Sequence, residues 1–404
     1  MIIRYYLLTM IEIRGNPRLT IISLIFNLSV NIRSNEKYYM KILIIENNLA
    51  GGGAEKVLLT LLENLRPPKY DITLLLIKNK GLYLNDVPSY IKVQYMIDVT
   101  QGEKEFPKDS DTLIEFYEKR IDCDYDVEIA FLEGPPTKLL AHSNNHRSRK
   151  IAWVHIDLEK VHWTYSYFRS INEEKKCYLK MDHVVFVSEN AQKGFENLFG
   201  TKLKNALVIN NPINTTRIKT LAEINPIQYS SFTCVVVGSL VNRKGQSRLL
   251  YSMGRLFQLG YRFDLYLIGE GNEKNSLKEL SHILNISKYV HFTGFQRNPY
   301  SYMKNANLLI SSSITEGYPL VSCEALCLGL PILATNCSGN RDVLQNGKYG
   351  LLVENTEEGI FYGLKSILDS PQLYENLKEK AHLGFVECQF ETRLNQIEHL
   401  LEGI

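Results

Sequence analysis

The sequence has no pair of cysteines at CxxC spacing, no long run of one charge sign and no apolar stretch of membrane-spanning length. Its seven cysteines, at positions 123, 177, 234, 323, 327, 337 and 388, are odd in number and scattered. They read as buried, reduced thiols of a cytoplasmic protein, not as a zinc site or a disulfide framework. A net charge of +2 over 404 residues is too small to make nucleic acid the main partner, so any basic surface is local. The apolar stretch Leu19 to Ile32, bounded by Arg18 and Arg33, is too short and too polar to span a bilayer, and no small-residue cleavage site follows it. The first strand-to-helix turn lacks the spacing G-x-G-x-x-G. The second strand runs into Lys78 and Lys80, where a dinucleotide-dependent oxidoreductase would want a carboxylate for ribose. Two D-x-D triplets offer little to a metal: Asp109-Ser110-Asp111 reads as a helix cap, and Asp122-Cys123-Asp124 precedes its strand.

What is present is a soluble composition, 45% hydrophobic and 22% charged, on a chain long enough for two domains. Residues 1–39 do not match the rest. Because Met40 directly precedes the first clear strand, the natural protein is expected to begin there, with a peripheral membrane anchor as the competing reading of the extra segment. From Met40 the pattern alternates. Strands are expected at Lys41–Glu46, Asp71–Ile77, Val93–Ile97, Tyr125–Phe131, Lys150–His155, His183–Ser188 and Ala206–Asn210, with helical spacing at Ala54–Leu65, Asp111–Lys119 and Asn190–Leu198. After "NNPIN", residues 210–214, a polar stretch to Ser231 reads as a linker. A second series follows, with strands near Thr233–Gly238, Phe263–Gly269, Val290–Gly294, Ala306–Ser312, Pro331–Thr335 and Gly350–Val353. The fold class is therefore α/β, with two doubly wound parallel-sheet domains, 40–214 and 215–390, facing across a cleft. Residues 391–404 form a closing helix, with Leu394, Ile397, Leu400 and Leu401 on one face, that is expected to cross back to the first domain.

Three stretches carry chemistry. In "KILIIENNLAGGGAEKVLLTLLENL", residues 41–65, three glycines sit between a buried strand and a helix, where free N–H groups and the positive helix end suit an anion. A tight turn without a ligand is the alternative. In "SSSITEGYPLVSCEALCLGLPILAT", residues 311–335, Glu316 lies in a loop, Gly317 and Pro319 at a turn, Pro319 at a first helical position, and Glu324 about one turn into a helix. Two carboxylates so placed can converge on a polyhydroxylated ligand, or can be a helix-dipole Glu beside a solvated loop Glu. In "VVVGSLVNRKGQSRLL", residues 235–250, Arg243 and Lys244 precede a helix and make a plausible diphosphate grip, against a solvated basic turn.

These stretches, with "YDVEIAF" (125–131), "IAWVH" (151–155), "VINNP" (208–212), "LIGEG" (267–271), "VHFTGF" (290–295) and "GLLV" (350–353), resemble the retaining glycosyltransferases of family 4, also called group 1, over most of the chain from Met40. The resemblance implies the GT-B fold and transfer of a sugar from a nucleoside-diphosphate donor, UDP-hexose or UDP-N-acetylhexosamine, to a glycan or lipid-linked acceptor of a bacterial cell surface. It implies no cofactor and no metal. Glu316 would hold the donor-sugar hydroxyls, Glu324 the ribose, Arg243 and Lys244 the diphosphate, and the backbone near Thr293, Gly294 and Phe295 the base. His155 would stand at the active site near the donor sugar. Gly52, Gly53, Gly238, Ser239, Gly317, Tyr318, Leu320 and Val321 would complete the donor-binding walls. Many relatives have Arg where Ser239 stands, which leaves Arg243 and Lys244 as the main cations. A lone His at a strand end is also a common structural hydrogen-bonder.

The acceptor side is less legible. "VHWTYSYFRSINEEKKCYLK", residues 161–180, mixes aromatics with cations and fits either an anionic membrane surface or a partly buried helix with a solvated end. "SNNHRSRK", 143–150, reads as a basic patch or a solvated loop. The expected location is the cytoplasm, with peripheral contact at the inner face of the cytoplasmic membrane. A non-catalytic nucleotide-sugar-binding regulator on the same fold and, further off, an NAD(P)-dependent oxidoreductase are the alternatives.

Overall fold

A computed structural model describes residues 40–99, 111–121, 124–384 and 390–404. The expectations on residues 1–39, on Asp109, Ser110, Asp122 and Cys123, and on Cys388 fall outside these. Two parallel sheets organise the rest. The first comprises β1 (Met40–Glu46), β2 (Tyr70–Lys78), β3 (Lys92–Ile97), β4 (Val127–Ala130), β5 (Arg149–Val154), β6 (His183–Phe186) and β7 (Ala206–Val208), in the order β3-β2-β1-β4-β5-β6-β7. The second comprises β8 (Thr233–Val237), β9 (Asp264–Ile268), β10 (Val290–Gly294), β11 (Leu308–Ser311), β12 (Ile332–Thr335) and β13 (Leu351–Val353), in the order β10-β9-β8-β11-β12-β13.

Helices cover both faces of each sheet, so the central strands are apolar on both sides. Ile42, Leu43, Ile44 and Ile45 of β1 are all buried. The helix Gly53–Asn64 buries Val57, Leu58, Leu61 and Leu62 against this sheet. In both sheets the strand order reverses beside the first strand, between β1 and β4 and between β8 and β11. Crevices at the carboxyl ends of the strands open there, and ligands of open α/β sheets bind in such crevices.

Two segments between the sheets differ in how well their pattern announces them. Residues 215–231, which read as polar linker, contain a helix, Thr215–Ala222, capped by the Asn214 side chain accepting from the Arg217 N–H. Only Ile218 and Ala222 of this helix are fully buried, in the core of the second sheet, so its eight residues are too few to show a period. The last helix, Phe390–Glu402, places Ile397, Leu400 and Leu401 in the core of the first sheet. Arg149 at the start of β5 donates to the Leu400 carbonyl at 2.6 Å, and the Tyr70 hydroxyl donates to Glu398 at 3.0 Å.

Candidate active site

The carboxyl ends of the two sheets face each other across a cavity of about 610 Å³. On the first-domain side, β1 leads into the glycine turn. Gly51 has φ +110°, a left-handed conformation that favours glycine, and a Cβ there would come within 3.3 Å of both Leu82 and Phe295. Gly52 and Gly53 line the cavity, and Leu320 of the second domain approaches Gly53. Glu55, in the first turn of the helix, folds back so that its carboxylate accepts from the Gly52 N–H. The anion seat expected at this helix end is therefore partly taken by the chain's own carboxylate, which burial holds above its usual range.

The ends of β4 and β5 supply the next wall. Glu133, three residues past β4, is buried and accepts from the His155 backbone N–H at 2.9 Å and from the Trp163 indole N–H at 3.0 Å. His155 directly follows β5. Its ring lies 5.0 Å from that of Phe131, and its Nε2 is buried with no hydrogen-bond partner among the described residues. Burial pushes its pKa down to about 4, so the imidazole is neutral at pH 7. A histidine that must stay neutral when folded but protonates freely when unfolded destabilises the fold as pH falls from about 6.5 toward 4. A His155→Gln variant is expected to lose that part of the acid sensitivity. Urea midpoints at pH 7 and pH 5 check this, and an unchanged difference between the two would refute it.

The second domain brings its own loops to the same space. Gly238 and Ser239 follow β8, and a short turn, Asn242–Lys244, leads into the helix Gln246–Gln258. The Lys244 ammonium lies 2.5 Å from Glu316 Oε1, Ser313 donates to the same oxygen at 2.6 Å, and Arg243 stands 3.7 Å from Oε2. Burial acts to raise the Glu316 pKa, but the charges of Lys244 and Arg243 and the hydrogen bonds of Lys244 and Ser313 outweigh it and hold the group below its usual value. Gly317 comes next. A Cβ there would fall 1.9 Å from the His155 carbonyl oxygen, so only glycine lets this loop touch the end of β5.

Pro319 caps the helix Leu320–Leu328 from one position earlier than expected, and no side chain caps that helix, so its positive end faces the cavity with Leu320 and Val321. Glu324 in that helix is nearly fully buried. It takes Lys56 of the first domain at 2.5 Å and the Tyr300 hydroxyl at 3.1 Å, with the Lys56 ammonium 4.8 Å above the Tyr300 ring. Phe295, after Gly294, packs edge-on against Tyr83 of the first domain. The Tyr318 hydroxyl accepts from Arg393 of the last helix at 3.2 Å.

The residues singled out in the sequence thus line one cleft, except Thr293 and Gly294, which end β10 beside it. Lys56, Glu55, Tyr300 and Glu133 were not singled out. Glu133 carried a readable signal, a carboxylate just past a strand end in "FLEGPP", the placement also held by Glu316. The aromatic and basic stretch 161–180 divides. Trp163 lines the cleft, and Lys175 and Lys180 donate to the Phe199 and Ala141 carbonyls, whereas Tyr165 and Leu179 are exposed. In the other basic stretch, Lys150 donates to the Asn145 carbonyl at 2.5 Å.

Residues 217–383, nearly all of the second domain, match the family described as glycosyl transferases group 1. Over 273 residues the chain is 28% identical to an uncharacterized glycosyltransferase of Methanocaldococcus jannaschii, a match covering 65% of this chain and just under two thirds, 66%, of that one. It is 27% identical over 345 residues, 83% of this chain and 92% of the relative, to the N-acetylgalactosamine-N,N'-diacetylbacillosaminyl-diphospho-undecaprenol 4-alpha-N-acetylgalactosaminyltransferase of Campylobacter jejuni. Among solved structures, Anabaena Alr3699/HepE in complex with UDP-glucose superposes with a TM-score of 0.72 at 18% identity, covering 91% of this chain and all of that one. At that identity the likeness speaks for the fold. The chain has the GT-B fold, two parallel-sheet domains about a cleft, and the match to the group 1 glycosyl transferases lies in the second of them.

Proposed function

We propose that the protein is a retaining glycosyltransferase of family 4, moving a sugar from a UDP-hexose or UDP-N-acetylhexosamine to a glycan or lipid-linked acceptor in bacterial cell-surface polysaccharide synthesis. The observation that carries this reading is the Lys244–Glu316 pair set beside an uncapped helix end and the buried Glu324 in one cleft. Arg243, Lys244 and the N-terminus of Leu320–Leu328 would hold the diphosphate and stabilise its charge as it leaves. Glu316 would accept from hydroxyls of the donor sugar, and Glu324, exchanging Lys56 for the nucleotide, from those of the ribose. The neutral His155 would lie beside the donor sugar.

In the transfer step the bond from the sugar's anomeric carbon to the diphosphate oxygen breaks while the acceptor oxygen bonds to that carbon on the same face. The acceptor proton passes to the departing diphosphate. No protein nucleophile is assigned, and the charge is met by side-chain cations and a helix end, without a metal in the proposed step. We place the protein in the cytoplasm at the inner membrane face, a reading supported by the exposed Tyr165 and Leu179. No helix among the described residues is long and apolar enough to cross a membrane.

Calorimetry with nucleoside diphosphates and their sugars, in the presence of a chelator, tests the donor. One diphosphate is expected to bind selectively, and its sugar to be transferred with the anomeric configuration kept, as read by NMR of the product. Binding of NAD(P) alone, or of no nucleotide, would overturn the reading. Binding with neither transfer nor donor hydrolysis would favour a regulator.

A further inference from the structure

The closing helix Phe390–Glu402 is anchored to the first domain along its second half, by Ile397, Leu400 and Leu401 in the core and by Glu398 under the Tyr70 hydroxyl. Its first turn reaches elsewhere. Arg393 stands there, where the positive end of a helix disfavours a cation. Its Nη1 donates to the Asn211 carbonyl and to the Tyr318 hydroxyl, each at 3.2 Å, and the guanidinium carbon lies 5.7 Å from the centre of the Tyr318 ring. Asn211 and Tyr318 line the cleft, and Arg393 stands behind them, outside its lining. Asn211 lies on the stretch that carries the chain from β7 toward the second domain, and the closing helix ends the return. One guanidinium therefore joins both crossings to the loop that follows Glu316.

Each residue of that loop is held from a different element. The Glu316 carbonyl accepts from the Gly339 N–H at 3.1 Å and from the Ser338 hydroxyl at 3.3 Å, and the Gly317 carbonyl accepts from the Ser188 hydroxyl of the first domain at 3.2 Å. Tyr318 is held through its side chain. Burial raises its pKa, so the hydroxyl keeps its proton, and besides accepting from Arg393 it is hydrogen-bonded to the Cys323 thiol in the helix Leu320–Leu328.

We infer that Arg393 is a positioning residue: acting through Tyr318, it fixes the turn Gly317 to Pro319, and with it Glu316 and the uncapped end of Leu320–Leu328, in the arrangement that takes a nucleoside diphosphate. A turn already fixed when the ligand arrives loses less freedom on binding, so Arg393 raises affinity without touching the ligand. The identity of the ligand rests on the transferase reading; the fixing of the turn does not.

Four variants of the full chain test this. Arg393→Met keeps an apolar stem and removes every donor, Arg393→Lys keeps the charge, Tyr318→Phe keeps the ring and removes the oxygen, and Glu398→Ala loosens the same helix at a place remote from Tyr318. Calorimetry with UDP, GDP, ADP, CDP and TDP follows the diphosphate that binds the unaltered protein most tightly, and hydrogen exchange follows the amides of residues 316–320 without ligand. Arg393→Met is expected to weaken binding about tenfold and to speed exchange in that segment. Tyr318→Phe should do the same, the double variant Arg393→Met, Tyr318→Phe should be no worse than the weaker single one, and Arg393→Lys should recover part of the loss. Glu398→Ala is expected to lower the thermal midpoint and leave affinity and exchange at 316–320 unchanged.

Full affinity in Arg393→Met, losses that multiply in the double variant, or an equal loss in Glu398→Ala would overturn the positioning role. If no diphosphate binds the unaltered protein, the donor reading falls and exchange alone decides the rest: faster exchange at 316–320 in Arg393→Met upholds the fixing of the turn, and unchanged exchange overturns it.

Discussion

Replacing Lys244 with alanine is expected to lower transfer about a thousandfold and to weaken nucleoside-diphosphate binding, while destabilising the second domain by about 3 kcal/mol. Both effects come from one atom. The Lys244 ammonium is the nearest cation to Glu316, at 2.5 Å, and it lines the cavity at the Gly238 turn. Without it the carboxylate keeps Ser313 and the more distant, half-exposed Arg243, but its burial is no longer offset.

The pH dependence should change sign with it. In the unaltered protein Glu316 is held below its usual pKa, so its stabilising contribution is present above the unfolded value near 4.5 and is lost as pH falls through the lower folded value. In Lys244→Ala burial dominates and raises the folded pKa above the unfolded one. The variant should then recover stability as pH falls toward 5. Thermal midpoints at pH 7.5 and pH 5 measure this, with donor calorimetry at pH 7.5 beside them. A variant equally stable at both values and still tight for its nucleotide would show that Lys244 is a solvated bystander.

Removing the other carboxylate should act on affinity more than on the chemical step. Glu324→Ala takes away both acceptors that would serve the ribose, and two charge-assisted hydrogen bonds lost together correspond to about a hundredfold or more in the dissociation constant of the nucleoside diphosphate. The loss of Glu324 also frees Lys56 and the Tyr300 hydroxyl. The double variant Glu324→Ala, Lys56→Met separates the two consequences. If Lys56 acts only as the resident partner of Glu324, the double variant binds nucleotide as weakly as the single one. Calorimetry of inorganic diphosphate serves as the control, since it has no ribose and its affinity should be nearly unchanged by Glu324→Ala. Equal losses for the nucleotide and for diphosphate would move Glu324 out of the ribose site.

The two parallel sheets were legible because buried parallel strands are short, β-branched and bounded by turns, and each strand lies within a residue or two of its apolar run. Glu316, Glu324, Arg243 and Lys244 stood out by their places at strand-to-helix turns, and one cleft brings them together, while their roles were read only from the family resemblance. Lys56 did not. Its partner is 268 residues away, and nothing along the chain shows that the first helix of one domain will meet the helix Leu320–Leu328 of the other. Glu55 was hidden for a different reason: a glycine-rich turn before a helix advertises an anion without saying that the chain supplies one. Trp163 stood out by type but not by place, because a tryptophan beside cations suits a membrane surface as well as a cleft.

The final helix gives the molecule a property that its two sheets do not show. The chain leaves the first sheet after β7, builds the second domain, and returns through Phe390–Glu402 to fill the core it left. The first domain is thus discontinuous in sequence, with the second inserted into it. Two tethers, not one, set the axis about which the cleft can widen. A single nick between the sheets would leave both fragments clasped through Ile397, Leu400 and Leu401, so the two walls of the cleft stay in register even when the backbone between them is cut.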